Sequence, residues 1–450
     1  MSNTKKPRRR TWRRLGTLAG VLVLLGVVVT LNYLTEEDPR ARRRVLQTTK
    51  SDRPDGIYSH YRPRDRTTGS LTAEQQAEIE RLEAIGYASG TEAPPIVSGV
   101  TVYDKARTDP GLFLYTSGHG PEGILINMEG DVVHKWECPF ERAFPETEIT
   151  AAMTVNAHHW RHAHLLDDGA VLVIFEACGL FKVDKDSNLI WAQPGLFHHD
   201  LDVTEDGTIY ALLRKAHLVP RIDEDFAILE DFICVLDPDG IEIQRHSVLE
   251  LLERSGNEEV VDSLHGRGDI LHTNTVKYLD GSLADRSPIF KKGNVLISCR
   301  ENDTVAIVDL DAGRAVWAAC GPWDAQHSPR LLPNGHVIVF DNLGLGDELK
   351  QSRILEMDPL NDEVVWTYGE GASEAFFSST VGLCQPLANG NILVVESQNG
   401  TAFEVAPDKT VVWEYVSPFR AGDNNEYIAS LLSMRKIDPD AVSGWLEPSD

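Results

Sequence analysis

The chain has 450 residues and a formal net charge of −26, with 43 Lys and Arg against 69 Asp and Glu. The first 50 residues contain 12 basic and 3 acidic residues, a net +9, so the remaining 400 carry −35. An acidic body of ordinary globular composition argues against wholesale disorder and against nucleic acid as the main partner, because it repels phosphate backbones. An anionic substrate would therefore need a local cationic pocket.

The N-terminal segment has the pattern of a membrane anchor. No charged residue occurs from Leu15 to Thr35, and about 20 apolar residues are what a helix needs to span a bilayer. We therefore predict a basic tail over 1–14 and a transmembrane helix over 15–35. A cleaved signal peptide is the alternative, although its apolar region is usually about 7–15 residues long. The basic tail favours an N-terminus in the cytoplasm and a body in the periplasm or outside the cell.

Residues 36–97 have the composition of a tether. The stretch is polar and rich in turn residues, and it contains one short amphipathic segment over 72–87 that predicts a helix. We expect the folded body to begin at residue 98.

From residue 98 to 420 one unit recurs six times. Each copy contains four short β-branched runs bounded by turn residues, most clearly in 327–370 and 382–415. The first copy, 99–136, is degenerate, and its first strand is expected at GVTVYD. Six units of four strands predict an all-β fold, a six-bladed β-propeller preceded by the N-terminal transmembrane helix. Residues 421–450 are expected to form a C-terminal tail.

The fourth run of most units ends in an aromatic residue that we expect to pack between blades. These residues are Trp136, Trp191, Trp317, Trp366 and Trp413.

Propeller topology converts scattered polar residues into one cluster. The start of each first strand, the end of the second and the start of the third share one face, and the first strands line the central channel. Histidines occur at four first-strand starts, and Arg214, Arg300 and Asn342 each follow a turn glycine by seven residues. The predicted channel histidines are His162, His164, His198, His199, His272 and His327, with Asn274 beside them. Within this set we predict that His164, Arg214, Arg300, Asn274 and Asn342 bind substrate. Imidazole and guanidinium groups together suit a tetrahedral oxyanion such as sulfate.

Two other interpretations of the histidines remain. Repeats that share an ancestor could copy a structural histidine, and several histidines around a channel, with Asp200 and Asp202, could bind zinc or copper. The arginines expected in the same ring would repel a divalent cation, so we predict neither a metal nor another cofactor.

The ordered motifs of the body resemble those of the bacterial arylsulfotransferase (aryl-sulfate sulfotransferase) family. They are HHDLDVTEDGTIYAL, HTNTVKYLDG, QHSPRLLPNGHVIVFDN, SRILEMDP and GNILVVES followed by FEVAPDKTVVWEY, and they cover roughly 100–420. The resemblance implies a periplasmic propeller that moves a sulfuryl group from a phenolic sulfate ester to a phenol through a sulfohistidine, with no nucleotide donor and no metal.

The same resemblance implies roles for individual residues. His272 and His327 would bind the sulfuryl group or act as acid and base, Arg353 would be the charge clamp, and His199 and Asn274 would support them. The family has its nucleophilic histidine late in the chain, whereas unit six has Val381 and Gly382 at that place and no histidine follows His336. The resemblance therefore leaves open which histidine is the nucleophile. The alternative function is a non-catalytic, membrane-anchored propeller that acts as a binding scaffold.

Overall fold

The repeated β-rich runs form six blades around a central channel in the computed structural model of the chain. The structure describes residues 57–60, 97–150, 153–344, 346, 349–423 and 425–446, all within one compact unit that spans 54–450. The predicted basic tail, transmembrane helix and helix over 72–87 lie outside the described residues. None of the helices in the described ranges combines the length and apolar character needed to cross a bilayer.

The first half of the chain contributes three blades. Two strands come before them, β1 (Tyr58–His60) and β2 (Gly99–Tyr103). Blade one takes β3 (Leu112–Ser117), β4 (Glu122–Ile126) and β5 (Val132–Glu137), followed by helix α1 (Phe140–Ala143). Blade two consists of β6 (His162–Leu165), β7 (Val171–Phe175), β8 (Gly179–Val183) and β9 (Leu189–Pro194). Blade three consists of β10 (Phe197–Val203), β11 (Ile209–His217), β12 (Ile228–Leu236) and β13 (Glu242–Ser247).

Two short helices and a two-residue strand lead from blade three into the second half. They are α2 (Val248–Glu253), α3 (Glu258–Ser263) and β14 (Gly268–Asp269). Blade four consists of β15 (Thr273–Tyr278), β16 (Asn294–Cys299), β17 (Thr304–Asp309) and β18 (Arg314–Cys320). Blade five consists of β19 (His327–Leu331), β20 (Val337–Asp341), β21 (Arg353–Asp358) and β22 (Glu363–Tyr368).

Blade six and three further strands complete the described chain. Blade six contains β23 (Leu383–Pro386), β24 (Ile392–Glu396), β25 (Thr401–Val405) and β26 (Val411–Val416). After it come β27 (Arg420–Ala421), β28 (Tyr427–Ala429) and β29 (Leu431–Ile437). Single turns of 3₁₀ helix lie at Asn156–His158, Pro288–Phe290, Ala372–Glu374, Ser397–Asn399 and Pro439–Ala441. The prediction of an all-β, six-bladed propeller is confirmed.

The strands that come first and last in the propeller sequence occupy positions different from those predicted. Strand β29, within the segment expected to be a tail, is the innermost strand of blade one and pairs antiparallel with β3. Strand β2, expected in that position, instead pairs with β26 as a fifth, outermost strand of blade six. The β29 side chains explain the exchange, because Leu431 and Met434 are buried in the core between blades one and six. The propeller therefore extends past residue 420.

Tryptophans of the outer strands tie neighbouring blades together. Trp136 and Trp413 are fully buried, and their indole N–H groups donate to Gly169 O at 2.9 Å and to Met128 O at 2.9 Å in the next blade. Trp191 donates in the same way to Pro238 O at 3.2 Å. At these three positions, the expected packing role is combined with a hydrogen bond that satisfies a turn carbonyl.

The tether residues 57–60 lie on the face where the second strands end. Strand β1 pairs with β28, and the backbone of Ile57 exchanges hydrogen bonds with Gly118 and Ser430 at 3.0 Å each. Gly118 contacts Ile57 so closely that a Cβ there would lie 2.4 Å from Ile57 O. Only glycine fits at this crossing.

Candidate functional site

All six blades contribute to one polar cavity at the end of the channel where the first strands begin. Its volume is about 20 Å³, about the space one water needs. The cavity is therefore narrow. Its polar lining consists of Arg161, His162, His199, Asp200, Asn274, Thr275, His327, Ser328 and Arg330.

The innermost strands begin with irregular backbone that turns side chains toward this cavity. The strand register shifts near the start of β10, β15 and β19, as at a β-bulge. His199, His272 and Ser328 adopt left-handed conformations, with φ of 57°, 50° and 55°. Such conformations cost energy in residues other than glycine and need support from their surroundings. Carboxylates provide it for the two histidines, since Glu176 accepts from His199 N–H at 2.9 Å and Asp269 from His272 N–H at 3.0 Å.

His327 is held in one tautomer. Its Nδ1 lies 2.8 Å from Asn342 Oδ1 and 3.1 Å from Ala325 O. The Asn342 amide group donates to Ser378 O at 2.6 Å and Val381 O at 2.8 Å, which fixes its oxygen toward the ring. Two acceptors at Nδ1 require a proton there, so Nε2 carries a lone pair. Both hydrogen-bond contacts of the ring are at Nδ1, and His327 lines the cavity.

Burial keeps the His327 ring neutral. The side chain is 5% exposed, and burial, followed by the charge of Arg300, holds its pKa well below the usual value. A neutral imidazole with a free Nε2 lone pair is a nucleophile at physiological pH.

His272 is oriented by a carboxylate. Its Nδ1 lies 2.6 Å from Asp269 Oδ2, and its ring centroid is 4.8 Å from that of His199. Burial would raise the pKa of Asp269, but the hydrogen bond from His272 together with the charges of His272, Arg214 and His198 lowers that pKa to about 2. Asp269 is therefore an ionised acceptor, and His272 presents Nε2 on its other side.

His199 belongs to a second polar cluster with His198. The two Nδ1 atoms are 2.9 Å apart, His199 Nδ1 lies 3.4 Å from Glu176 Oε1, and His198 Nε2 lies 3.4 Å from Asp231 Oδ1. Burial is the main cause of the strongly lowered pKa of both histidines, which are neutral at pH 7.

Glu176, His198 and His199 have the spacing of three metal ligands, since their nitrogen and oxygen atoms lie within 4.8 Å of one another. Two guanidinium groups already face Glu176, Arg161 at 3.7 Å and Arg214 at 3.9 Å. Because these cations would repel a metal ion, we interpret the group as a hydrogen-bonded cluster and assign no metal to it.

Cationic groups supply the local positive field that the composition required. Arg161 is buried, donates to Leu432 O at 2.8 Å and lines the cavity. Arg330 also lines it and donates only to Pro329 O, at 2.8 Å, with no carboxylate within 4.0 Å among the described residues. Burial lowers the pKa of Arg330 to about 10, which leaves it charged at pH 7. An oxyanion in the cavity would meet at least one unpaired guanidinium.

The deeper part of the channel is occupied by an ionic network. Asp200 accepts from Lys277 at 3.0 Å and from Arg435 at 3.2 Å. His164, predicted to bind substrate, faces this network and is not part of the cavity lining. Burial lowers its pKa to about 4.

The structure brings together most of the residues predicted from sequence. His199, Asn274 and His327 line the cavity. Besides burial, Arg300 and His272 lower the pKa of His327 through their charges, and Asn342 forms a hydrogen bond with its ring. The guanidinium of Arg214 lies 3.9 Å from the Glu176 carboxylate, and Arg214 does not line the cavity.

Arg353 is placed elsewhere. Its guanidinium donates to Asp341 Oδ2 at 2.7 Å, Glu370 Oε1 at 2.9 Å and Pro322 O at 2.9 Å. With its donors engaged at the start of β21 and no part in the cavity lining, it is a structural clamp within blade five.

Several residues of the candidate site were missed from sequence. Glu176 follows the turn residue Gly169 by seven positions, the spacing that singled out Arg214 and Arg300, so a signal for it existed. Arg161 directly precedes β6 and Arg330 lies in β19, so both belong to innermost strands that line the channel. Asp231 lies in β12 and reaches His198 through the strand register of blade three.

A family model described as Arylsulfotransferase (ASST) matches residues 162–418. No curated protein matches the chain.

Solved structures resemble the chain at low sequence identity. A protein of unknown function from Bacteroides caccae is 13% identical over 72% of this chain and 98% of its own, with a TM-score of 0.47. A virginiamycin B lyase from Staphylococcus aureus is 10% identical over 76% of this chain and 97% of its own, with a TM-score of 0.39. The WD40 propeller domain of Doa1 is 11% identical over 75% and 96%, with a TM-score of 0.40.

Proposed function

The chain belongs to the arylsulfotransferase family, and from this premise we propose that it transfers a sulfuryl group from a phenolic sulfate ester to a phenol through His327. The observation that carries the proposal is the free Nε2 of a neutral, single-tautomer His327 inside a cationic cavity. The transfer as proposed needs no nucleotide donor and no metal.

The proposed transfer proceeds in two half-reactions. In the first, the Nε2 lone pair of His327 attacks sulfur, the bond from sulfur to the phenolic oxygen breaks, and the phenolate leaves with that electron pair. In the second, the oxygen of an acceptor phenol attacks the same sulfur and the bond from sulfur to Nε2 breaks. Covalent catalysis of this kind replaces one difficult displacement with two easier ones.

The arginines of the cavity would stabilise the charge on the transferring group. Arg161 and Arg330 line the cavity, and Arg300 is the charged group with the strongest effect on His327. Charge-assisted hydrogen bonds from guanidinium groups suit sulfuryl oxygens. We assign the charge clamp to Arg161 and Arg330 rather than to Arg353, which does not line the cavity and whose donors are already engaged.

The polar residues around His327 have supporting roles in this proposal. His272, oriented by Asp269, and His199 would exchange the proton of the phenolic oxygen. Asn342 sets the tautomer of His327, and Asn274 positions it indirectly by donating to Gln326 O at 2.8 Å. The cavity is too narrow for an aromatic ring, so the ring of the substrate would lie at the channel mouth, and the lining side chains would have to separate to admit the sulfuryl group.

The decisive experiment is intact-protein mass spectrometry after incubation with 4-nitrophenyl sulfate without acceptor. We expect one added sulfuryl group, located on His327 by peptide mapping under conditions that preserve the nitrogen–sulfur bond. His327→Gln is expected to lose the adduct and to reduce transfer to phenol by about 10³-fold or more. His246→Gln, which changes a partly buried histidine of an outer strand far from the cavity lining, is the matched control.

Two outcomes would contradict the proposal. An adduct on a different histidine would show that His327 is not the nucleophile, and so would undiminished transfer by His327→Gln. Absence of transfer and adduct with every aryl sulfate tested would favour the non-catalytic scaffold instead.

For the membrane, we propose that residues 15–35 anchor the chain with its N-terminus in the cytoplasm and the propeller outside. The support is the uncharged run, which follows seven basic residues and precedes a segment where three acidic residues partly offset four arginines. A reporter enzyme that works only in the periplasm should be active when it is fused after residue 446. Activity of a reporter that works only in the cytoplasm would contradict the orientation.

A further inference from the structure

A line of titratable side chains leads from the interior of blade three to the cavity. Asp231, in β12, is 1% exposed, and its Oδ1 lies 3.4 Å from His198 Nε2. His198 is also 1% exposed, and its Nδ1 lies 2.9 Å from His199 Nδ1. His199 lines the cavity, and the polar contacts of its ring with His198 and Glu176 are made by Nδ1.

The contact between the two Nδ1 atoms couples the protonation states of the line. At 2.9 Å one of these nitrogens donates a hydrogen bond and the other accepts it, because two lone pairs or two protons would repel. If His198 donates, its Nε2 has a lone pair, which suits a protonated Asp231, although at 3.4 Å the two groups form no hydrogen bond in this structure and must approach for a proton to pass. If His199 donates, His198 Nε2 carries the proton and faces an ionised Asp231.

The surroundings of Asp231 allow both states. Burial, and then the negative charge of Asp269, raises the pKa of Asp231 to about 7. Thr273 N–H donates to its Oδ2 at 2.7 Å, which partly favours the ionised form. The other charged or titratable groups that face the line are His272 with Asp269, Arg214 and Arg161, and Glu176.

We propose that Asp231, His198 and His199 form a proton relay that stores the proton exchanged between the two half-reactions. This inference rests on the proposed sulfuryl transfer. The first half-reaction releases a phenolate that needs a proton, and the second consumes a phenol that gives one up, so a two-stage transfer requires a place to keep one proton.

The relay accounts for every proton that is transferred. At the start, protons lie on Asp231, on His198 Nδ1 and on His199 Nε2. His199 Nε2 gives its proton to the departing phenolate oxygen, His198 Nδ1 passes its proton to His199 Nδ1, and Asp231 passes its proton to His198 Nε2. The line then holds one proton fewer, Asp231 is ionised, and the second half-reaction reverses each move.

The first test is the dependence of rate on the leaving group in Asp231→Asn. Asparagine keeps the size and the acceptor for Thr273 but cannot release a proton. With phenyl sulfate, a poor leaving group, we expect kcat to fall by about 10²-fold, the usual contribution of general acid catalysis. With 4-nitrophenyl sulfate, whose phenolate leaves readily, we expect a fall of no more than about 3-fold.

Asp269→Asn provides the comparison. If it makes the rate depend more steeply on the leaving group while Asp231→Asn does not, the stored proton resides on His272 and the relay is wrong. Equal losses on both donors in Asp231→Asn would also overturn the relay, because they indicate a purely structural role.

The second test needs no activity and therefore separates the relay from the proposed function. In the wild-type protein labelled with ¹⁵N-histidine, the tautomer of His198 should switch between Nδ1–H and Nε2–H as pH passes through the titration of Asp231. In Asp231→Asn it should stay the same across that range. A wild-type tautomer that does not change with pH overturns the relay even if sulfuryl transfer is observed.

A titration with Zn²⁺ tests the competing use of the same groups. Stoichiometric Zn²⁺ binding that is lost in Glu176→Gln would mean that Glu176, His198 and His199 are metal ligands, which would exclude the relay. No binding is expected, because Arg161 and Arg214 face the carboxylate.

Discussion

At the scale of single residues, the chemistry of His327 depends on what Asn342 presents to Nδ1. The amide oxygen accepts a hydrogen bond but carries no charge, so it fixes the tautomer without favouring the imidazolium form. A carboxylate in the same place would stabilise the protonated ring and remove the lone pair on Nε2 at higher pH.

Asn342→Asp is therefore expected to move the acidic limb of the kcat/KM profile to higher pH by about 1 unit or more. The reason is that a negative charge 2.8 Å from Nδ1 raises the pKa of His327. The measurement is the pH profile with 4-nitrophenyl sulfate, with Asn334→Asp at an exposed turn as control. An unshifted profile in Asn342→Asp would show that His327 does not titrate in the rate-limiting state.

Buried neutral histidines also make the fold sensitive to acid. His159 is fully buried, and burial lowers its pKa to about 4 from an unfolded value near 6.5. Between these values the unfolded chain binds more protons, so stability is complete above pH 6.5 and falls as pH decreases. For this residue alone the loss is about 2 kcal/mol at pH 5.

His159→Phe should flatten this dependence. We expect its free energy of unfolding in urea to change less between pH 7 and pH 5 than that of the wild type, by about 2 kcal/mol. The exposed His265→Phe is the control, and equal slopes in all three proteins would contradict the role of His159.

Some of these residues were predictable and others were not. His272 and His327 stood at equivalent places in consecutive repeats, so the repeat itself indicated them. Asp231 lies in a third strand, and it reaches His198 only through the register of blade three and the bulge in β10. No local pattern encodes that contact, because it depends on which residues oppose each other across strands.

At the scale of elements, closure of the ring distinguishes β29 from β2. β29 is an inner strand with buried Leu431 and Met434, whereas β2 is an added outer strand whose residues remain partly exposed. Both segments are short and β-branched or apolar, so their composition did not tell which would be inner. The missing histidine at the start of the first repeat was the one available warning.

Removal of β29 should therefore cost far more than removal of β2. A soluble chain that ends at Ser430 is expected to show no cooperative thermal unfolding, while a chain that begins at Asp104 keeps a cooperative transition at lower Tm. Circular dichroism with calorimetry measures both. A synthetic 431–446 peptide should restore a transition to the first chain, and a cooperative transition without the peptide would contradict this role of β29.

A single side chain gives a graded version of the same test. Met434 is 1% exposed, so Met434→Ala should lower the free energy of unfolding by about 2–5 kcal/mol. Met357→Ala, equally buried in blade five, should cost a similar amount, and the two variants together show whether closure adds anything to ordinary core packing. A larger loss for Met434 would indicate that it does.

At the scale of the whole molecule, an acidic surface surrounds a cationic cavity. Distant carboxylates repel an anionic donor, and salt screens them beyond about 8–10 Å. The arginines of the cavity are close to the bound anion and are screened much less.

Salt should consequently raise kcat/KM for an anionic donor. Between about 20 mM and about 200 mM NaCl we expect an increase of about two- to threefold for 4-nitrophenyl sulfate and little change in the KM of a neutral phenol acceptor. Steady-state kinetics at several ionic strengths provides the measurement. A decrease with salt would show that the cavity, rather than the acidic surface, dominates the approach of the donor.

Strand β29 has one more consequence, which concerns protein synthesis. Leu432 O holds Arg161, Ser433 faces His162 and Arg435 binds Asp200, so the wall of the cavity is incomplete until β29 has been synthesised. A chain that is stalled or clipped before residue 431 lacks the strand that closes the ring and the groups that hold Arg161 and Asp200 in place. Such fragments should have no sulfuryl-transfer activity, because closure of the ring and completion of the cavity depend on the same strand.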